Sequence, residues 1–578
     1  MYDVLIKNAQ VIDGTGAEPY AADVAIEKDR FAAIAPNIDC AKSKKTIDAR
    51  GKYVIPGIID IHSHADLSIS RDNNDELLAP LLKQGITTFV GGNCGMGQAP
   101  LVGPRMDAVR LYVETFTARK FDNVPWKTMG QYFDYLEKNG MAMNAAIMAP
   151  HSILRLQVMG TDRRFATPEE NKEMQKILAQ AMEEGAAGFS TGLQYFPGMM
   201  SDTEEVANLV KVIKPYNGTH ATHLRSYTDT LPMALKEAAY IGRKAEVNVQ
   251  VSHIMWVPEL GLIGPLARKT MRFLGDYAAK NGALPLPLDK QLGGIIAKVY
   301  KDYGVSHKNY SMDAMPTTAG FTHALAFFPP WVVDGKVEDV IYRLKDPASR
   351  KLIYRDITTG KNRWPHREGA SYNLNYLKML GFDSFTIMSV FTEKNRKYEG
   401  KKITEMAEDR GVHPFDALCD LLVEEDGHVL VFGTLTRVDD PHMEKSVEAA
   451  VIDPNVPIST DAILLGLGKP SELFYGCYPH FFEKYVVNEK KVTWGQAVRK
   501  TSGLAADVFH MPGRGYLKQG YFADAVILDP NTIGFKGNLL NPDVAPTGIE
   551  RVFVNGKEMV NNGVMAKGRY GRVVSQNR

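Results

Sequence analysis

Two histidines spaced two apart, in the stretch DIHSHAD, are the first residues whose arrangement could do chemistry. His62 and His64 follow the apolar run IPGIID, and along an extended strand residues i and i+2 face the same way. Two neutral imidazoles converging from one face are a ready chelate for Zn²⁺. A pair of hydrogen-bonded core histidines is the bland alternative, and the position at the end of a strand weighs against it. Cys94 lies in GGNCGMG, directly after the apolar run GITTFV. A buried thiol in a glycine-rich turn is ordinarily inert packing, yet beside a divalent cation it loses its proton and ligates as a thiolate. THATHLRS carries both His220 and His223. Their odd spacing prevents them from sharing a face, and His223, nearer the C-terminal end, is the expected ligand. His253 closes VQVSHI and Asp461 closes VPISTDA in the same manner. A carboxylate beside a cation that activates water can accept the water's proton and deliver it to a leaving group. One such histidine would mean little. Four, with a cysteine and an aspartate at equivalent places, are hard to explain as packing.

Groups so far apart in the chain need a scaffold that gathers strand ends. Apolar strand-like runs (GIIDIHSHAD, GITTFVGGN, MNAAIMAPH, AAGFSTG, THATHLRS, VNVQVSHI, VPISTDA) alternate with helical stretches such as NDELLAPLLKQ, TPEENKEMQKILAQAMEEG, TEEVANLVKVI and TLPMALKEAAYIGRKA. That rhythm predicts an α/β fold, a TIM-type (β/α)8 barrel, in which sites are built at the C-terminal ends of the strands. The first segment, with DVLIKNAQVIDG, ADVAIEKDRFAAIA and KTIDARGKYVIPG, reads as short strands broken by Gly, Asp and Asn turns. FADAVILDP, IERVFVNGKEMVNNG and GRYGRVV repeat that texture at the other end, so the two ends are expected to build one small β domain. The division expected is 1–57 for its first part, 58–514 for the barrel and 515–578 for its second part. An aromatic-rich stretch, about 293–380, breaks the alternation and is read as an insertion at the barrel rim, either a lid or a packed side module, the packed module being the blander reading.

The whole-chain properties narrow the class. At 578 residues the chain exceeds one simple core. Its 68 basic and 67 acidic residues leave no net field to draw it to nucleic acid or anionic lipid. Four cysteines are too few and too scattered for a disulfide framework, which suits a reducing compartment. MYDVLIKNAQ lacks the charged-then-apolar pattern of a signal peptide, and no uninterrupted apolar run reaches the length of a membrane span. A cytoplasmic location, a small-molecule partner and no nucleic-acid partner are the expectations.

Together these motifs resemble the amidohydrolase superfamily and, within it, the N-acyl-D-amino-acid deacylase (D-aminoacylase) family. The likeness runs nearly end to end, from VIDGTG and VIPGIIDIHSHAD through GITTFVGGNCG, GFSTGLQYFPG, THLRS, VSHI and ISTDA to VRKTSGLAADVFHMPGRGYLKQGYFADAVILDP and VNGKEMVNNGVMAKGRYGRVV. The resemblance implies a zinc-dependent hydrolase of non-peptide C–N bonds with one or two Zn²⁺ ions. Cys94, His223 and His253 match the ligands of a tightly held zinc. His62, His64 and Asp461 match a weaker second position, which Cys94 could bridge, and the general acid/base falls on Asp461.

Three departures bear on substrate. The family's lysine two residues after the sixth-strand histidine is Met255 here. Its D-x-YPY stretch, whose tyrosine contacts the substrate carboxylate, is matched to ALPLPLD, which has no tyrosine. The arginine of its HPR motif falls on Leu473. A carboxylate buried against Met and Leu without a partner is strongly disfavoured. The expected substrate is therefore a bulkier or more apolar amide lacking the usual free carboxylate. A cyclic amide, imide, lactone or carbamate is the alternative within the superfamily, and a non-catalytic metal-binding barrel the alternative outside it. His151 and Tyr195 are further candidates for the pocket wall. GGNCGMG lacks the Lys-Ser/Thr ending of a phosphate loop, and GFSTG reads as a barrel strand end rather than a nucleophile elbow.

Overall fold

The computed structural model describes residues 1–576 apart from 119, 122–123, 229, 258–287 (within which 266, 270 and 273 are described), 304–309, 318, 360–375, 434–442 and 540. Strands Ile58–Asp60, Ile86–Gly91 and Asn144–Ile147 form one parallel sheet. Ala149–Pro150, Gly188–Gly192, Thr219–His223, Asn248–Val251 and Tyr310–Met312 form a second, also parallel. Asn144–Ile147 and Ala149–Pro150 are one chain run interrupted at Met148, whose N–H donates to the Gly91 carbonyl while Ala187 N–H donates to Ile147, so this run joins the sheets. On the far side Ala314 bridges Ile458, and Ser63 bridges Ala462, both in parallel. Among the described residues no unbroken ladder runs round the molecule. Eight parallel segments in sequence order nevertheless complete a TIM-type ring, closed by these single bridges.

The barrel strands read as continuous apolar runs because both of their faces are covered. Every residue of Ile86–Gly91, Gly188–Gly192 and Thr219–His223 is buried. The intervening helices start where their caps dictate. Thr167 accepts from Glu170 N–H while the Glu170 carboxylate accepts from Thr167 N–H, fixing the start of Pro168–Glu183. Gly185, at φ 107°, turns the chain away after it. Asp202 caps Thr203–Val212, and Leu231–Ala245, which follows one strand later, opens instead on a proline in its first turn. NDELLAPLLKQ forms two short helices, Asn74–Leu77 and Ala79–Lys83, because Pro80 supplies no N–H to continue the first.

Both ends of the chain meet in one nine-stranded sheet. Tyr53–Pro56 lies antiparallel to Ala525–Leu528, with Ile55 opposite Val526. Ile6, Val24, Phe31, Val54, Ile527 and Phe553 share its core. GRYGRVV departs from the expected place: Gly571 bridges Met141 and Val573 bridges Ala145, so this segment reaches past the small sheet to the third barrel strand.

Between the seventh barrel strand and the closing segment lies a module with its own core. An antiparallel sheet of Gly320–His323, Leu430–Gly433 and Phe385–Ser389 is covered by helices including Val337–Lys345, Ile403–Arg410 and Pro414–Glu424. The stretch 293–380 begins within helix Leu288–Tyr303 and includes strand Tyr310–Met312, both packed with the barrel, whereas the module runs on to Gly433. Among the described residues no helix is long and apolar enough to cross a membrane.

Candidate metal centre

The C-terminal ends of the barrel strands bring the six expected residues together. Cys94 Sγ lies 3.4 Å from His62 Nε2, 3.7 Å from His223 Nδ1 and 3.6 Å from His253 Nε2. His223 Nδ1 and His253 Nε2 are 3.0 Å apart. Asp461 Oδ1 is 3.3 Å from the Nε2 atoms of both His62 and His64. A tetrahedral ion with bonds of about 2.0 Å to nitrogen and about 2.3 Å to sulfur holds its ligand atoms roughly 3.3–3.6 Å from one another. The observed spacings are close to that. Two triads emerge, His62–His64–Cys94 and Cys94–His223–His253, sharing the thiol.

Backbone and electrostatics both mark the cluster as costly without a cation. Cys94, His253 and Asp461 adopt left-handed φ values of 53°, 33° and 52°. Such conformations cost on the order of 1–3 kcal/mol each in a residue with a Cβ and persist where the surrounding fold imposes them. Around Cys94 the chain needs glycine: a Cβ on Gly92 would stand 2.3 Å from the Met148 carbonyl oxygen, and one on Gly192 2.1 Å from that of Cys94 itself. Burial opposes ionisation of Cys94, yet the positive charge of His62 and hydrogen bonds with His223 and His253 pull the thiol well below its ordinary range. His62 is raised, against burial, by Cys94 and Asp313, and His64 is raised to about 9 by Asp461 and Cys94. Asp461 is held far below the carboxylate range, again against burial, by His62 and His64. Burial lowers His223 to about 4. The cluster therefore favours a thiolate and a carboxylate facing converging imidazoles. Asp461 Oδ1 is buried with no hydrogen-bond partner. An orphaned carboxylate oxygen between two imidazole nitrogens, beside a thiol poised to lose its proton, fits a divalent cation.

Residues that no motif pointed to orient this cluster. Asp313, fully buried, accepts from His253 N–H at 2.8 Å, Ser459 Oγ–H at 2.6 Å and Gln250 Nε2 at 2.8 Å, and stands 3.7 Å from His62 Nδ1. Gln194 Oε1 lies 3.0 Å from His223 Nε2, fixing that ring from behind. Tyr227 packs edge-on to His223 while its hydroxyl donates to the Ser252 carbonyl. The Gln194 amide thus sets the angle of the His223 imidazole, while Asp313 holds the His253 backbone and places a negative charge beside His62.

The remaining candidates part company. His220 points elsewhere, its Nε2 3.1 Å from Thr191 Oγ1, in surroundings that lower it to about 3. His151 is not among the residues of the pocket beside the cluster. It lies 3.1 Å from Glu205, which also pairs with Arg155, in a buried ion-pair group. Tyr195, 4.5 Å from the His223 ring centroid, and Met255 both line that pocket of about 660 Å³, with Met315, Phe321, Tyr376 and Phe385. Leu473 is buried at the start of helix Leu473–Phe481 and is not part of its wall. Of ALPLPLD, residues 283–287 lie outside the described residues, and Leu288 and Asp289 begin a helix. The strand that pairs with Asn248–Val251 is Tyr310–Met312, which runs on into Asp313-Ala314-Met315-Pro316. This is the better match to the D-x-YPY outline, and Met315 stands at the tyrosine's place.

Comparison with known proteins agrees with this architecture. The amidohydrolase family model matches residues 45–236. D-aminoacylase of Alcaligenes xylosoxydans xylosoxydans is 27% identical over 577 residues, spanning 100% of this chain and 98% of that protein. N-acyl-D-glutamate deacylase of the same organism is 27% identical over 96% of this chain and 93% of its own length. Among solved structures, a D-aminoacylase described as defining a novel subset of amidohydrolases superposes with a TM-score of 0.73 at 25% identity, over 100% of both chains. An N-acyl-D-glutamate deacylase from Bordetella bronchiseptica, complexed with zinc and a phosphonate mimic of the tetrahedral intermediate, reaches 0.74 at 25% identity over 99% of both. Barrel, strand-end cluster and matches all point the same way, to a resemblance with the amidohydrolases. Within that superfamily its resemblance is to the N-acyl-D-amino-acid deacylases.

Proposed function

We propose that the chain is a zinc-dependent hydrolase of an N-acyl amide whose amine half carries no free carboxylate at the usual position. Cys94, His223 and His253 would hold one ion, and His62, His64 and Asp461 with Cys94 a second, weaker one. When bound, the cation supplies Lewis acidity for the amide carbonyl and the attacking water. Asp461, ionised between His62 and His64, accepts a proton from that water and passes it to the leaving nitrogen. Asp313 and Gln194 keep His62, His253 and His223 in register while this happens. Tyr195, against the His223 ring, packs beside the carbonyl.

The observation that carries the substrate reading is the pocket wall. Met255, Val257, Met315, Phe321, Phe327, Leu380 and Phe385 surround it, and among the described residues no lysine or arginine lines it. An ionised carboxylate there would lose its hydration without gaining a charged partner. The zinc and glutamate-type chemistry named for the relatives supports the reaction class, whereas this wall supports a different amine half. Comparing kcat/KM for an N-acyl-D-amino acid with its carboxamide and with a cyclic amide tests the reading. The carboxamide should win by at least tenfold. Preference for the free acid would overturn it, and turnover of the cyclic amide alone would move the activity to ring opening.

A further inference from the structure

Asp60 is fully buried, belongs to neither ligand triad and is not part of the pocket wall. It closes the first barrel strand, Ile58–Asp60, and its carboxylate spans the gap to the segment that closes the ring, residues 458–462. Oδ1 accepts from Thr460 N–H at 3.1 Å, and Oδ2 accepts from the Thr460 hydroxyl. The Tyr478 hydroxyl, on helix Leu473–Phe481, lies 3.3 Å from the same Oδ1 and 3.0 Å from the Ile458 carbonyl. Thr460 Oγ1, its own proton given to Asp60, accepts in turn from Ala462 N–H at 3.0 Å. One carboxylate therefore fixes the residue before Asp461 and, through the threonine hydroxyl, the residue after it.

The closing segment needs such a clamp. Other barrel strands are located by ladders of several bonds, whereas this one has the single bridges of Ile458 to Ala314 and Ala462 to Ser63. Asp461 stands between those bridges at φ 52°, a conformation that a residue with a Cβ keeps only where its surroundings impose it. Two backbone bonds tie the segment to the first strand's exit, from Asp461 N–H to the His62 carbonyl at 2.9 Å and from His64 N–H to the Ala462 carbonyl at 2.8 Å. Thr460 N–H has no such carbonyl opposite it and donates to the Asp60 side chain instead. Asp60 thus supplies the bond that a ladder would have made, at the residue next to the strained aspartate. A carboxylate that must stand 3.3 Å from two imidazole nitrogens at once depends on that anchorage.

We propose that Asp60 is a positioning residue: through Thr460 it sets where the Asp461 carboxylate stands between His62 and His64, and with it the second cation position and the proton transfer. The effect on turnover rests on the role assigned to Asp461 above. The test is calorimetric titration of Zn²⁺ into the one-zinc enzyme, with kcat and KM measured alongside. Asp60→Asn keeps the volume but turns an amide N–H toward Thr460 in place of one acceptor oxygen, and Thr460→Val removes the hydroxyl at nearly equal size. Each should weaken the second ion about 10- to 100-fold while the zinc on Cys94, His223 and His253 stays stoichiometric. Each should also lower kcat roughly tenfold or more with KM little changed, because the misplaced group acts in the transition state. Thr460→Ser, which restores the hydroxyl, should recover the second-ion affinity. Both variants cut one link, so the double variant should lose no more than either alone. If Asp60→Asn does not fold, the contrast of Thr460→Val with Thr460→Ser carries the same comparison. Unchanged second-ion affinity and kcat in the folded variants, or losses that multiply in the double variant, overturn the proposal and leave the amidase reading standing. If the wild type binds no second ion and hydrolyses no amide, that reading fails instead. Crystal structures of wild type and Thr460→Val then decide the placement alone: a displaced Asp461 carboxylate supports it, and an unmoved one overturns it.

Discussion

At the scale of single residues the molecule concentrates its strain and charge at one point. Cys94, His253 and Asp461 each hold a left-handed backbone that a β-carbon resists, and each presents its functional atom to the same small volume. Asp461→Asn should keep metal, measured by elemental analysis, while turnover falls by at least a thousandfold, because the amide cannot accept the water's proton. Near-wild-type turnover would remove Asp461 from that role. Cys94→Ala should lose stoichiometric zinc, and full occupancy would count against the thiolate. Asp313→Ala should weaken zinc binding about 10- to 100-fold, the usual effect of removing an orienting carboxylate, and a competition titration with a chelator reads it directly. The six strand-end groups were legible because histidine, cysteine and aspartate at the ends of apolar runs are chemically conspicuous. Asp313 was not. Its strand is three residues long, YSM, and carries too little periodicity to announce a barrel position. Gln194 and Tyr227 were illegible for another reason: an amide and a phenol have no spacing signature, and only the fold shows what they touch.

At the scale of elements, alternation of apolar runs with capped helices was enough to give the barrel, since a parallel strand buried on both faces has a composition of its own. The module was seen only as a break in that rhythm. Its sheet pairs Gly320–His323 with Leu430–Gly433, more than a hundred residues later, and no local pattern encodes such a pairing. Behind the barrel, helix Thr203–Val212 is tied to helix His151–Met159 through Glu205, buried between Arg155 and His151. Burial raises the Glu205 carboxyl, but these two partners win and hold it at about 2, below its ordinary 4.5. A depressed folded-state pKa contributes stability that is complete above about 4.5 and is lost as the pH falls toward 2. Glu205→Gln should therefore destabilise the protein by about 3–5 kcal/mol at pH 7, leaving Arg155 without its charge partner. Its deficit relative to wild type should shrink between pH 4.5 and 2. Urea midpoints across that range are the measurement, and a deficit independent of pH would show that Glu205 acts through packing alone.

At the scale of the whole molecule, both chain ends converge on one sheet, and that sheet has a temporal consequence. Tyr53–Pro56 pairs with Tyr2–Val11 on one side but meets its other neighbour only in Ala525–Leu528, and Ser63 closes the ring on Ala462, 399 residues away. Synthesis at about 5–20 residues per second separates the emergence of such partners by roughly 20 s to 100 s. Throughout that interval the nascent chain carries a strand edge with open N–H and C=O groups, a template for pairing with other copies. Chains released early by a stalled ribosome would keep that edge permanently, so the yield of native enzyme in a cell should depend on how well chaperones shield the first sixty residues until the last fifty arrive.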